Sequence, residues 1–166
     1  MVYKNVNGFN TKSTGNAKVT RAKLIIDSLE ADIVAYNKIR VNWKHKVNVN
    51  GLGKMFHGGG LEVSAETAHN VHESCTEKTQ EGGTGMLAYG LMLNNLDLSE
   101  ASKDETGLGR WVTMTFKGAE GFVTRVLCGY NPCYNRSKTP NGTVYQQHSQ
   151  YFVTVEKDLT CPRTRF

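Results

Sequence analysis

Ile33-Val34-Ala35-Tyr36-Asn37-Lys38-Ile39-Arg40 opens apolar and closes polar. The apolar opening reads as a buried strand. The polar close delivers Asn37, Lys38 and Arg40 to one end of that strand, where chemistry can sit. Two other stretches end in the same manner, Asn5-Val6-Asn7-Gly8 before it and Tyr130-Asn131-Pro132 after it. Polar groups gathered at the ends of several core strands are a common way to assemble a site.

On the N-terminal side, residues 2–6 read as a short strand. Asn7-Gly8 then turns the chain, because both residue types tolerate left-handed backbone. Residues 11–16 form a polar loop, with Thr14 or Asn16 as a helix cap. Val19, Ala22, Ile26 and Leu29 fall at i, i+3, i+7 and i+10, which predicts a helix over 17–30. Lys18, Arg21 and Lys23 lie largely off that stripe. A solvated face is the plain reading of the three; phosphate contact is the sharper one. Strand, helix, strand in succession predicts a crossover unit with parallel strands.

On the C-terminal side, residues 40–60 are polar and Gly-rich and read as a surface loop or irregular hairpin. Trp43 there either anchors the loop to the core or stacks on a base. Residues 61–68 are weakly strand-like. Residues 69–80 are polar, with Glu73, Glu77 and Glu81 at helical spacing. His69 and His72 are three apart, but no third metal ligand accompanies them. Gly82-Gly83-Thr84-Gly85 leads into a strand at 86–89; it precedes a strand and is followed by no Lys-Ser/Thr pair, so it is not a phosphate-binding P-loop. Residues 91–109 read as a long polar connection.

Residues 110–116 alternate, with Val112, Met114 and Phe116 on one face and Trp111, Thr113 and Thr115 on the other. Gly118 to Gly121 makes a hairpin to a partner strand over 122–130. A loop follows, then a helix over 143–159 with Tyr145, His148, Phe152, Val155 and Leu159 as its stripe. His148 reads as a packed helix residue rather than a catalyst.

The chain has 166 residues, enough for one domain with one core. Apolar residues make up 39% and charged residues 21%, the balance of an ordinary globular protein. No apolar run approaches the roughly 20 residues that span a bilayer. The N-terminus lacks the apolar core of a secretory signal, so an intracellular location is expected, nuclear for a DNA-directed protein. Cys75, Cys128, Cys133 and Cys161 show no CxxC spacing, which argues against a zinc ribbon or redox pair. Cys128 reads as a small buried hydrophobe. The net charge of +5 favours a polyanionic partner such as nucleic acid.

Taken in order, Asn5-Val6-Asn7-Gly8, a helix, Ala31-Asp32-Ile33-Val34-Ala35-Tyr36-Asn37-Lys38, Gly109-Arg110-Trp111 and Gly129-Tyr130-Asn131-Pro132 resemble the endonuclease/exonuclease/phosphatase superfamily. The closer likeness is to endonuclease domains of non-LTR retroelement reverse transcriptase proteins. It is carried by Lys103-Asp104-Glu105-Thr106-Gly107-Leu108-Gly109-Arg110-Trp111 and by Cys128-Gly129-Tyr130-Asn131-Pro132-Cys133.

The resemblance implies a four-layer α/β/β/α sandwich, incomplete here, a mixed α/β or α+β fold. It implies Mg²⁺-dependent phosphodiester hydrolysis, in which the cation polarises the scissile phosphate. Asn5 and Asn7 map to the catalytic network and Tyr130 to the phosphate-orienting tyrosine. Arg40, Lys44, Lys46, Arg110 and Asn131 are the expected substrate-binding residues.

Two departures qualify that reading. Lys38 stands where the family has its metal-binding Glu, and an ammonium repels Mg²⁺ while pairing readily with phosphate. The later Asp-x-Asn and Ser-Asp-His motifs of the family are also absent. Residues 1–166 are therefore expected to be the N-terminal part of one such domain, impaired in catalysis. Its expected partners are nucleic acid, DNA first, and further domains of a retroelement polyprotein. A non-catalytic nucleic-acid-binding module is the alternative, and a hydrolase completed by a partner chain is a third reading.

Overall fold

The computed structural model describes residues 1–9, 17–41, 51–58, 62–72, 81–131, 144–151 and 154. Two sheets stack face to face. The first has the order β1 (Val2–Asn5), β2 (Ile33–Asn37), β4 (Thr84–Tyr89), β3 (Val63–Ala68). The second has the order β5 (Leu96–Lys103), β6 (Trp111–Lys117), β7 (Val123–Gly129). Strands β1 and β2 are parallel, as the crossover reading requires, and the other pairings are antiparallel.

The crossover is α1 (Ala17–Ser28). Val19, Ala22 and Ile26 are buried against Val34, Tyr36 and Leu87 of the first sheet. Leu29, expected on that stripe, is 58% exposed. The helix ends before it. Ala31 N–H donates to Ile26 O and Glu30 N–H to Asp27 O, with Glu30 left-handed at φ 47°. This is a six-to-one helix-closing turn with Glu where glycine is usual, so no glycine marks the stop.

Alternation along β2 and β4 sends side chains to two cores. Val34, Tyr36, Leu87 and Tyr89 face the helices. Ala35, Met86 and Ala88 face the second sheet, where they meet Val112, Met114, Phe116 and Cys128. Cys128 is thus the buried hydrophobe expected; the other cysteines lie outside the described residues. The predicted β6–β7 hairpin forms, with a register that runs from Trp111↔Gly129 to Lys117↔Val123.

Three expectations need correction. Within 40–60 there is a helix, α2 (Gly51–Phe56), which buries Leu52 and Phe56. Those two residues, four apart, share one face, and Phe56 stacks on Tyr36 at 5.5 Å between ring centroids. Gly51 and Gly53 obscure the helix, because glycine is a poor helix former. Within 91–109 there is strand β5, preceded by a 3₁₀ segment, Gly90–Asn95. It is an edge strand with mostly exposed side chains and a register shift between Asp97 and Ser102, so it shows no period of two. Glu81 lies at a bend before β4 rather than on a helix.

The third α-helix, α3 (Val144–Tyr151), buries Gln147 and His148. Trp43, Lys44, Lys46, Glu73, Glu77, the loop after Asn131 and the end of the last predicted helix lie outside the described residues. Among the described residues no helix is long and apolar enough to cross a membrane.

Candidate functional site

Parallel register places Asn5 beside Asn37, the last residues of β1 and β2. Beyond them the two chains keep pairing. Val6 N–H donates to Asn37 O, Gly8 N–H to Lys38 O and Phe9 N–H to Ile39 O. On the other flank, Ile39 N–H donates to Gly83 O and Arg40 N–H to Gly82 O. The Gly82–Gly83 segment is thus a support for the β2 extension. Phe9 and Ile39 are buried, which pins the extension to the core.

Several residues here take left-handed backbone: Asn7 (φ 46°), Gly8 (φ 91°), Lys38 (φ 53°) and Arg40 (φ 56°). Such conformations cost non-glycine residues roughly 1–2 kcal/mol each, and they concentrate at functional sites. Asn7 is eased by its own turn, since its N–H donates to Asn5 Oδ1 at 3.2 Å. Lys38 and Arg40 have φ near that of Asn7, on either side of the buried Ile39. That conformation re-aims both cations.

The ammonium of Lys38 lies 5.6 Å from the centroid of the Tyr130 ring. A cation over a tyrosine face is held by the ring quadrupole. Tyr130 is fixed in turn by its N–H, which donates to Arg110 O at 2.6 Å. The structure therefore brings Lys38 and Tyr130 together, beside the Asn5–Asn37 pair. Arg40 forms the rim, ion-paired to Glu81 at 2.8 Å with both side chains about 40% exposed. Asn131 is exposed, one residue past Tyr130.

Sequence reasoning delivered Asn37 to the strand end without assigning it a role in the site. Asn37 is 6% exposed, its Nδ2 donates to Tyr3 Oη, and its Oδ1 has no hydrogen-bond partner among the described residues. Burial, then the neighbouring Cys128, raise the Tyr3 phenol above its ordinary value. Burial pushes the Cys128 thiol up to about 11. Cys128 is thus no nucleophile at neutral pH.

Arg110 is not on a binding surface. It is 3% exposed, and its Nη1 lies 2.6 Å from His148 Nε2. Burial holds its guanidinium below the usual value. Its backbone N–H donates to Asp104 Oδ2 at 2.7 Å, and Asp104 Oδ1 accepts from Thr106 N–H and Oγ1–H. Asn70 continues the network, donating to Gln147 Oε1 at 2.5 Å and to Glu81 O at 3.1 Å. An interior polar cluster therefore underlies the Glu81–Arg40 rim.

The donor set does not fit a divalent cation. Mg²⁺ favours carboxylate oxygen with water. Among the described residues the strand ends offer amides and a phenol, and Glu81 is tied to Arg40. Lys38 adds an opposing charge. Among the described residues no group of three or more His, Cys, Asp or Glu is placed to hold a metal.

No protein-family model matches the chain, and no curated protein matches it in sequence. Among solved structures it is similar to AP endonuclease LMAP from Leishmania major, with a TM-score of 0.55 and 13% identity. The likeness is one of fold. It covers 97% of this chain and 51% of that one, so the chain spans about half the length of that endonuclease. The mixed α+β architecture with two stacked sheets, which the resemblance implied, is the architecture observed.

Proposed function

We propose that this chain is the N-terminal part of a retroelement-type endonuclease domain that binds nucleic acid, DNA first, without hydrolysing it. The observation that carries the reading is Lys38, held over Tyr130 at the end of β2. An ammonium beside amides suits a phosphate oxygen, which accepts hydrogen bonds from all of them. It does not suit Mg²⁺. Asn5, Asn7 and Tyr130 line the phosphate site in this reading, and Arg40 and Asn131 extend it. The net charge of +5 supplies the long-range attraction. The similar Leishmania protein is an AP endonuclease, which agrees with a nuclease ancestry.

The partial-domain reading has separate support. Among the described residues β1 and β7 are both edge strands. In the stack, β2 and β4 lie over β7, so β1 overhangs it on the same side. Tyr3 and Leu127 are each 55% exposed there. Unpaired edges with apolar side chains are sites for further strands.

The test is binding of a fluorescent DNA oligonucleotide across a salt series, with a nicking assay alongside. The chain should bind with steep salt dependence and should not nick with Mg²⁺. Lys38→Glu should weaken metal-free binding about thirtyfold, the effect of turning a phosphate contact into a repulsion. The same variant should gain Mg²⁺ binding by calorimetry. Mg²⁺-dependent nicking by the unaltered chain would sink the proposal.

A further inference from the structure

The loop after β1 has its polar backbone groups accounted for in an unusual way. The N–H groups of Val6, Gly8 and Phe9 go to the β2 extension, and that of Asn7 goes to the Asn5 side chain. The carbonyls of Val6, Asn7 and Gly8 turn the other way and converge on one group. Lys18 Nζ donates to all three, at 3.3, 3.3 and 3.0 Å. Left-handed backbone at Asn7 and Gly8 is what gathers three successive carbonyls on one side. An ammonium has three donors, so this arrangement saturates it.

Lys18 is also in the wrong place for its helix. It is the second residue of α1, whose first turn holds no acid. The positive end of a helix disfavours a cation there. A residue that breaks a local rule points to a compensating role elsewhere.

We infer that Lys18 is a positioning residue, a tethered cation that holds the Val6–Asn7–Gly8 turn and so orients Asn5 and Asn7 toward the strand-end site. It acts on the loop from behind and does not itself touch the ligand. The orientation matters to phosphate binding only if the proposed function holds; the hold on the loop stands independently of it.

The experiment separates the two. Amide hydrogen exchange is followed residue by residue in the unaltered chain, in Lys18→Met and in Lys18→Glu. Gly8 and Phe9 amides should exchange about tenfold faster in both variants, from loss of the charge-assisted bonds. The β6–β7 amides serve as the internal reference and should not change. Lys18→Glu places an acid at the helix start, so its melting temperature should hold or rise while the loop loosens. A role confined to helix stability would move both readouts together. Exchange at Gly8 and Phe9 unaltered by Lys18→Met would overturn the inference.

Oligonucleotide binding supplies the second arm. Lys18→Met should weaken binding without altering the salt slope, because Lys18 contacts no phosphate in this reading. Lys38→Met should lower that slope by about one. An equal drop in slope for Lys18→Met would make it a phosphate contact and overturn the inference. No binding by the unaltered chain would remove the proposed function and leave the exchange result to decide the role of Lys18.

Discussion

Gly109→Ala is expected to destabilise the protein by about 4 kcal/mol, from left-handed backbone strain together with overpacking. Gly109 has φ 69°. A Cβ at this position would lie 2.8 Å from Asn70 N, 2.8 Å from the His69 carbonyl carbon and 3.0 Å from His69 Cα. All three are backbone atoms, so no side-chain rotation relieves the contact. The segment cannot shift easily either. Val71 N–H donates to Gly107 O, Leu108 bridges Asn70, and Gly109 O accepts from Thr84 Oγ1.

Gly121→Ala is the control. Gly121 has a similar φ of 79°, but nothing lies within 4 Å of an added Cβ. It should lose only the backbone term, about 1 kcal/mol. Denaturant unfolding of the two variants gives the comparison. Equal losses would mean that the chain at 69–70 does not approach Gly109 as closely as described.

What could be read from the sequence followed burial. Ile33 to Tyr36 and Val112 to Phe116 carry their environment in their residue types, so β2 and the β6–β7 hairpin were legible. Asn7-Gly8 was legible because its backbone geometry favours those residue types. β5 was not, because an edge strand with exposed side chains has no apolar face to alternate. The stop of α1 was hidden by Glu30, which takes a conformation that usually belongs to glycine.

The placement of the candidate site's residues was legible in part. Asn5, Lys38 and Tyr130 announced themselves as polar residues at the ends of apolar runs. Arg110 looked equally suited to phosphate, yet it is interior. Nothing in an arginine's neighbours along the chain reveals burial when the partner, His148, lies 38 residues away. Lys18 was open between solvent and phosphate, and its three carbonyl partners lie ten to twelve residues back.

Acidification should expose the interior cluster as the acid-sensitive part of the molecule. His148 is fully buried, with Arg110 against its ring and the Asp104 charge near by. Burial first, and then the Arg110 charge, lower its pKa from 6.5 to about 4, while Asp104 opposes the shift. The folded protein therefore keeps His148 neutral where the unfolded chain would protonate it. With the folded value below the unfolded one, stability is full above pH 6.5 and falls as pH drops toward about 4. The loss across that window is about 3 kcal/mol, at 1.36 kcal/mol per pKa unit. His148→Gln removes the titrating group, so its stability should be nearly flat over the same window. The rim should respond with the core, because Asn70 joins Gln147 to the Glu81 backbone and Glu81 holds Arg40. Denaturant unfolding of the unaltered chain and His148→Gln at a series of pH values measures the effect. A parallel fall in both proteins would assign the acid sensitivity to other groups and leave the cluster as inert packing.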